Sequence, residues 1–289
     1  MVKQGLYKQL TLDPDWVSSE VDRLLAEDLA GGDVTTDAVV PSDLRATARI
    51  EAAEELVFAG AVVIPPIFKN LCAVDLRISD GQQVAAGEII GTLSGSARPI
   101  LSRERVMLNL LQHLSGIATL TRLFVDKAAP YGVIILDTRK TIPGLRRFEK
   151  YAVALGGGTN HRLDLSEGVL VKDNHLAVGG NLIEMIRSLR QEGLDLPIEV
   201  EADTGAQVRV AMEAGVDALL LDNMSVEEVR ACVDIVRGHP AGDDIFIEAS
   251  GGIRLTNVEA YAQTGVDGLS IGYLTHSAPA VDIRLELEP

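Results

Sequence analysis

Arg139, Lys140, His161, Arg162 and Lys172 lie in one stretch, residues 137–172, that holds seven Lys or Arg against four Asp or Glu and so carries +3. The whole chain is at −16, and the remainder, with 19 basic and 38 acidic residues, is at −19. A basic island in an acidic protein serves a small anionic ligand, whereas a nucleic-acid or membrane surface needs a broad positive face. The plainer account is a solvated basic loop. Against it, the charges alternate with Pro143-Gly144, Gly156-Gly157-Gly158 and Asn160-His161-Arg162, residues suited to tight turns and directed hydrogen bonds. Guanidinium forks grip carboxylates in bidentate fashion and lysine adds a point charge, so these five side chains suit a small planar polyanion.

Two other kinds of residue follow. Glu201 and Asp222 each close a short apolar run. Two carboxylates suit Mg²⁺ arriving with a phosphorylated substrate, because that ion combines one or two carboxylates with substrate oxygens. Ser250-Gly251-Gly252 and Gly272 can turn backbone N–H groups toward a phosphate, with His276 just beyond. Each alone has a dull explanation, such as capping the next helix; with Glu248 at a further strand end they predict three subsites on one rim. Gly156-Gly157-Gly158 is not a GxGxxG dinucleotide loop, and no GxxxxGK[ST] loop occurs. His161 and His175 lack metal-site spacing and read as ligand or core hydrogen-bonding groups.

The elements that must position these residues are short and regular. Apolar runs precede each polar one: Val133-Ile134-Ile135-Leu136 before Asp137, Val169-Leu170-Val171 before Lys172, Ile198-Glu199-Val200 before Glu201, Ala218-Leu219-Leu220-Leu221 before Asp222, Ile245-Phe246-Ile247 before Glu248, and Leu269-Ser270-Ile271 before Gly272. Near-continuous apolar strands are what a parallel sheet covered on both faces requires. AGVDALLLDN and TGVDGLSIGY echo one another. The pattern predicts six strands of an open, incomplete α/β barrel, with a possible seventh at Ala152-Val153-Ala154-Leu155, and a site at the C-terminal strand ends.

Upstream, Asp13-Pro14 predicts an N-cap with proline in the first helical turn, followed by Val17, Val21, Leu24, Leu25 and Leu29 at helical spacing. Residues 44–51 alternate as a half-exposed strand, and residues 80–90 read as a structural β element. That stretch resembles a lipoyl- or biotinyl-carrier hairpin, but no lysine lies between Lys69 and Lys127 to carry the group. Ser102 is the expected cap of a long helix, which leaves Arg103 and Arg105 opposing its dipole and in need of another purpose. The resulting division is an N-terminal α/β sandwich over 1–112, an open α/β barrel over 113–275, and a tail over 276–289 that rejoins the first domain.

The 289 residues, 47% hydrophobic and 24% charged, describe a soluble globular chain with material for a sizeable core. Cys72 and Cys232 are far apart and fit a reducing compartment. No signal-peptide core and no run of membrane-spanning length is present, so a cytoplasmic protein is expected, with no nucleic-acid and no membrane partner.

The motifs DTRKT.PGLR, EKYAV..GGG.NHR and VKDNH over 137–175 resemble the quinolinate phosphoribosyltransferase family, and so do Glu27-Asp28…Gly32-Asp33-Val34-Thr35-Thr36, the run from Arg105 to Ala118, and the Glu201, Asp222-Asn223, Ser250-Gly251-Gly252 and Thr275-His276 positions. The likeness covers nearly the whole chain. It implies transfer of phosphoribosyl from phosphoribosyl pyrophosphate (PRPP) to quinolinate with decarboxylation, giving nicotinate mononucleotide, pyrophosphate and CO₂ in NAD biosynthesis. It further implies that Arg105, Arg139, His161, Arg162 and Lys172 hold quinolinate. Thr138, Lys140, Ser250, Gly251, Gly252, Gly272 and His276 then hold PRPP, and Lys140, Lys172, Glu201 and Asp222 are catalytic. Glu201 and Asp222 also carry Mg²⁺. It implies a homodimer in which Arg105 reaches the partner's site. Three rivals stand beside it: a paralogous pyrophosphorylase-like protein with another substrate, a Schiff-base barrel lyase using Lys140 or Lys172, and a non-catalytic anion binder.

Overall fold

The computed structural model describes residues 7–193 and 196–288. In chain order the main elements begin with α1 (Pro14–Leu29), α2 (Val34–Val39), β1 (Arg45–Ala52), β2 (Leu56–Val57), α3 (Ile64–Ile67), β3 (Cys72–Leu76), β4 (Gln83–Val84), β5 (Ile89–Ser96) and α4 (Ala97–Ala128). Then come β6 (Ile134–Leu136), α5 (Arg146–Leu155), β7 (Val169–Val171), α6 (Asp173–Gly179), α7 (Leu182–Gln191), β8 (Ile198–Ala202), α8 (Gly205–Ala214), β9 (Ala218–Asp222) and α9 (Val226–Arg237). The chain closes with β10 (Phe246–Ser250), α10 (Val258–Ala262), β11 (Gly268–Ser270), α11 (Tyr273–His276) and β12 (Ile283–Leu287). They group into two compact units: residues 1–9, 123–146 and 158–276 form one, and residues 10–122, 147–157 and 277–289 the other.

The second of these units is built on an antiparallel sheet in the order β12-β1-β5-β3. The expected N-cap is present: the Asp13 carboxylate accepts from Trp16 N at 2.9 Å, Pro14 opens α1, and Val17, Val21 and Leu25 are buried along one face. Each such buried side chain stabilises the fold by about 1.5–3 kcal/mol through loss of apolar hydration. Asp80, in the stretch resembling a carrier hairpin, is a local organiser. One of its oxygens accepts from Gly60 N and Ala61 N at 2.6 and 2.8 Å, and the other accepts from Tyr151 Oη at 2.8 Å.

Two local expectations are overturned here. The long helix α4 starts at Ala97, not beside Ser102. Pro99 falls in its first turn, where a missing N–H costs nothing because those donors have no intrahelical partner. Arg103 and Arg105 therefore sit a turn or more inside the helix, away from the positive end of its dipole, and Arg103 Nη1 donates to Ile67 O at 2.5 Å. Residues 152–155 are not a strand but the end of α5. The four-residue window is too short to show a period; across RRFEKYAVAL, Phe148 with Ala152 and Glu149 with Val153 recur at i,i+4 and are buried.

The other unit carries a six-stranded parallel sheet in the order β6-β11-β10-β9-β8-β7. Ile135, Leu136, Leu219, Leu221, Ile247, Ala249 and Leu269 are all nearly or fully buried, as a sheet covered on both faces demands. The sheet stays open, since β6 and β7 are its two ends. Beyond β6 a single parallel bridge joins Leu136 to Thr159, so a vestigial seventh position falls at 159, a few residues past α5. No helix among the described residues is long and apolar enough to cross a membrane.

Candidate active site

Alternation along the parallel strands sorts their side chains into rows. Asp222, Ser250 and Ser270 are register partners on β9, β10 and β11. One row deeper, Glu201, Leu220 and Glu248 are aligned, and deeper still Glu199, Ala218 and Phe246. The upper two rows, together with loops that follow β6 and β7, enclose a cavity of about 330 Å³ at the C-terminal ends of the strands, where open α/β sheets place their ligands.

All five sequence-predicted cations, Arg139, Lys140, His161, Arg162 and Lys172, line this cavity, as do Thr138, Glu201, Asp222 and Ser250. The loop after β6 is shaped by Arg146, whose guanidinium donates to Thr141 Oγ1 at 3.0 Å and to Leu163 O at 3.3 Å, tying 139–141 to the segment after His161. Thr138 Oγ1 accepts from Lys140 N at 3.0 Å, which turns the backbone at that corner. Arg162 is anchored by Nη1 donating to Gly168 O at 2.8 Å. Partial burial, and then the like charge of Arg139, lower its pKa. Two guanidinium groups brought this close repel one another until an anion lies between them. Lys172 instead has a partner, since its ammonium donates to Glu201 Oε2.

The expected phosphate side lies at the ends of β10 and β11. Gly251 and Gly252 have φ of 95° and 64°, a region open to glycine. A Cβ on Gly251 would run into Asn223, itself left-handed at φ 54° with its N–H donated to Ser250 O at 2.9 Å. Gly272 packs against Lys140, Thr138 and His276, and Thr275 Oγ1 donates to Lys140 O at 2.7 Å. Gly251, Gly252, Gly272 and His276 thus adjoin cavity residues in sequence or space without lining the cavity themselves. Arg105 is not among the lining residues; it is exposed on α4, which belongs to the other unit.

Under the cations lies a buried cluster that the strand-end pattern did not reveal. Tyr7 Oη donates to Glu248 Oε2 at 2.9 Å, with Glu199 Oε1 at 3.5 Å. His161 Nε2 lies 3.2 Å from Glu199 Oε2 and 3.8 Å from Glu248 Oε2. Tyr7, Glu199 and Glu248 are 9%, 1% and 0% exposed. Burial, then the charge of Glu199, pushes the Glu248 carboxyl up to about 7. Burial and the two carboxylates also hold the Tyr7 phenol well above its usual value. Tyr7 packs on Leu136, Ala218 and Phe246 and so plugs the sheet's interior below the cavity. In the sequence Glu248 shows only as a strand end. Glu199 was legible in one respect, because Glu199 and Glu201 are two apart in a strand and must share a face. Among the described residues, His161, Glu199 and Glu248 are the one group of three whose ligand atoms come within 4.8 Å of each other.

Fold and cavity together describe an α/β protein whose parallel sheet carries, at the C-terminal ends of its strands, a cavity lined by both basic and acidic side chains. Family models for the N- and C-terminal domains of quinolinate phosphoribosyl transferase match residues 33–115 and 117–286. A nicotinate-nucleotide pyrophosphorylase (carboxylating) of Mycobacterium leprae is 40% identical over 94% of this chain and 98% of its own. A probable enzyme of the same name from Bacillus subtilis is 42% identical over 92% of each. The solved structure of the nicotinate-nucleotide pyrophosphorylase from Francisella tularensis superposes with a TM-score of 0.90 at 35% identity, covering 96% of this chain and 98% of that one. The chain belongs to the quinolinate phosphoribosyltransferase family and is a phosphoribosyltransferase.

Proposed function

We propose that the cavity binds quinolinate and PRPP together and joins them, with loss of CO₂ and pyrophosphate, to give nicotinate mononucleotide for NAD biosynthesis. The observation that carries this reading is one cavity with two chemically distinct walls, the guanidinium pair Arg139–Arg162 and the carboxylates Glu201 and Asp222. Arg139, Arg162 and Lys172, with His161 beside them, hold the two adjacent carboxylates of quinolinate and aim its ring nitrogen at the ribose. Thr138 and Lys140 contact PRPP, and the Ser250-Gly251-Gly252 turn with Gly272 and His276 receives its 5′-phosphate. Glu201 and Asp222 face the ribose hydroxyls and stabilise positive charge at the anomeric carbon as pyrophosphate leaves.

The same two carboxylates fit Mg²⁺: they are neighbouring oxygen donors, and that ion needs only one or two such ligands. When bound, Mg²⁺ neutralises charge on the pyrophosphate leaving group. Once the ring nitrogen carries ribose it is cationic, and it stabilises the carbanion left by departing CO₂, so no protein base is needed. Lys172 is engaged by Glu201, which disfavours a Schiff-base role for it. Arg105, exposed on α4, supplies a further cation to the cavity of a second copy in a homodimer. Cytoplasmic operation belongs to the same reading, supported by the two free thiols of Cys72 and Cys232. Release of labelled CO₂ from carboxyl-labelled quinolinate should require both PRPP and Mg²⁺; binding of quinolinate without that release would defeat the reading.

A further inference from the structure

His161 is fixed on every side. Its backbone N–H donates to Asp137 Oδ1 at 2.9 Å, and the neighbouring Asn160 Nδ2 donates to Asp137 Oδ2 at 2.7 Å, so a buried carboxylate pins this turn. Its Nδ1 accepts the backbone N–H of Arg162 at 2.8 Å. A nitrogen that accepts this bond carries no proton on that side, which leaves Nε2 as the ring nitrogen able to donate. That nitrogen faces Glu199 at 3.2 Å, and Tyr7 and Glu248 close the network behind.

We propose that Glu199, backed by Tyr7 and Glu248, is a positioning residue: it holds His161 as the neutral Nε2–H tautomer, so that Nδ1 orients the Arg162 backbone and aims the Arg162 guanidinium into the cavity. His161 then acts as a strut and not as a cation for the bound acid. The physical logic is that of a histidine whose working nitrogen is set by what its other nitrogen bonds. Here the output of the relay is the N–H of the next residue. The Arg162 guanidinium is anchored on the carbonyl of Gly168, and the backbone contact to His161 Nδ1 fixes the root of its side chain. A divalent metal held by His161, Glu199 and Glu248 is the competing account of the same atoms, and it requires Nε2 to be unprotonated.

The inference rests on the reading of Arg162 as a quinolinate ligand, but its first test does not. In the substrate-free full chain carrying ¹⁵N-histidine, the side-chain nitrogen shifts of His161, assigned by comparison with His161→Asn, should report the neutral Nε2–H tautomer near pH 7. An imidazolium, an Nδ1–H tautomer, or a shift that moves on adding Zn²⁺ or Mn²⁺ would overturn the proposal whatever the enzyme turns over. The second test is kinetic. Glu199→Leu removes the acceptor and should mix the tautomers and raise KM for quinolinate about tenfold, the order expected from unpairing one buried donor, with KM for PRPP changed by less than about twofold. Glu199→Gln keeps an acceptor oxygen and should restore both the single tautomer and most of the quinolinate affinity. If Glu199→Leu keeps the wild-type tautomer and KM, or if Gln fails to rescue while remaining folded, the proposal fails. Should Leu at 199 prevent folding, the wild-type spectrum and the Gln variant still decide. A wild-type chain that shows the tautomer but no quinolinate turnover would instead refute the functional reading.

Discussion

Lys172, at the rim of the cavity, keeps 42% of its side chain exposed, whereas Glu248 on its floor keeps none. The rim holds charges in reach of water: the cations Arg139, Lys140 and Lys172 and the carboxylates Glu201 and Asp222. Such charges are cheap to maintain and weak until a ligand excludes the water. The floor holds ionisable groups that water does not reach, and there a hydrogen bond has to be made, because an unpaired buried polar atom costs about 1–3 kcal/mol. Under the proposed function, recognition belongs to the rim and geometry to the floor, with His161 as the joint between them.

The largest effect should come from breaking the rim. Arg162→Ala or Arg139→Ala deletes a guanidinium fork that meets a carboxylate, worth about 3 kcal/mol or roughly a hundredfold in quinolinate affinity. PRPP affinity should hold within a few-fold, because neither guanidinium is among its proposed ligands. Calorimetric titration of each substrate separately checks this, and unchanged quinolinate affinity in both variants would remove the rim from recognition.

Next in size is a change confined to the floor. Glu248 in the folded state titrates at about 7, against a usual value near 4.5. Between those two pH values the native state binds more protons than the unfolded one, so this group's contribution to stability falls as pH rises from about 4.5 to 7. Glu248→Gln cannot ionise, and it should gain on wild type over that window by about 3 kcal/mol at most. Urea denaturation at pH 5 and pH 8 measures the difference. Equal slopes of stability against pH in the two proteins would mean that the floor is not the desolvated site described.

The rim was far more legible in the sequence than the floor, for a physical reason. Arg139, Lys172, Glu201 and Asp222 interrupt apolar strands at their ends, and a charge beside a run of Ile, Val and Leu stands out without any knowledge of the fold. The floor is assembled over long sequence separations: Tyr7 reaches Glu248 across 241 residues and Glu199 across 192. No local period encodes such a meeting, and Tyr7 lies in a segment with no strand or helix pattern of its own. The misread at 152–155 has a related cause, since four apolar residues fit a buried strand and a buried helix equally well. Arg105 shows the opposite limit. Its type and motif are plain in the chain, yet it is exposed on α4 and is not among the residues that line the cavity.

The smallest predicted effect separates two glycines on the phosphate side. At Gly251 an added Cβ meets the Asn223 backbone N at 2.8 Å, and φ of 95° already disfavours any L side chain. Backbone cannot retreat cheaply, so Gly251→Ala should cost about 1–3 kcal/mol of stability. At Gly272 the nearest atom to a new Cβ is Lys140 Cδ at 2.9 Å, followed by His276 Cδ2 at 3.3 Å and Thr138 Oγ1 at 3.4 Å. These are side-chain atoms, and the lysine stem is flexible, so Gly272→Ala should leave the melting temperature within about 2 °C, the size of a surface substitution. The displaced side chain is, however, a proposed PRPP ligand at the rim. KM for PRPP should therefore rise about threefold, well under 1 kcal/mol, while KM for quinolinate stays put. A matching rise in the quinolinate KM would show that Lys140 serves both substrates, and the division of the rim into two walls would have to be redrawn.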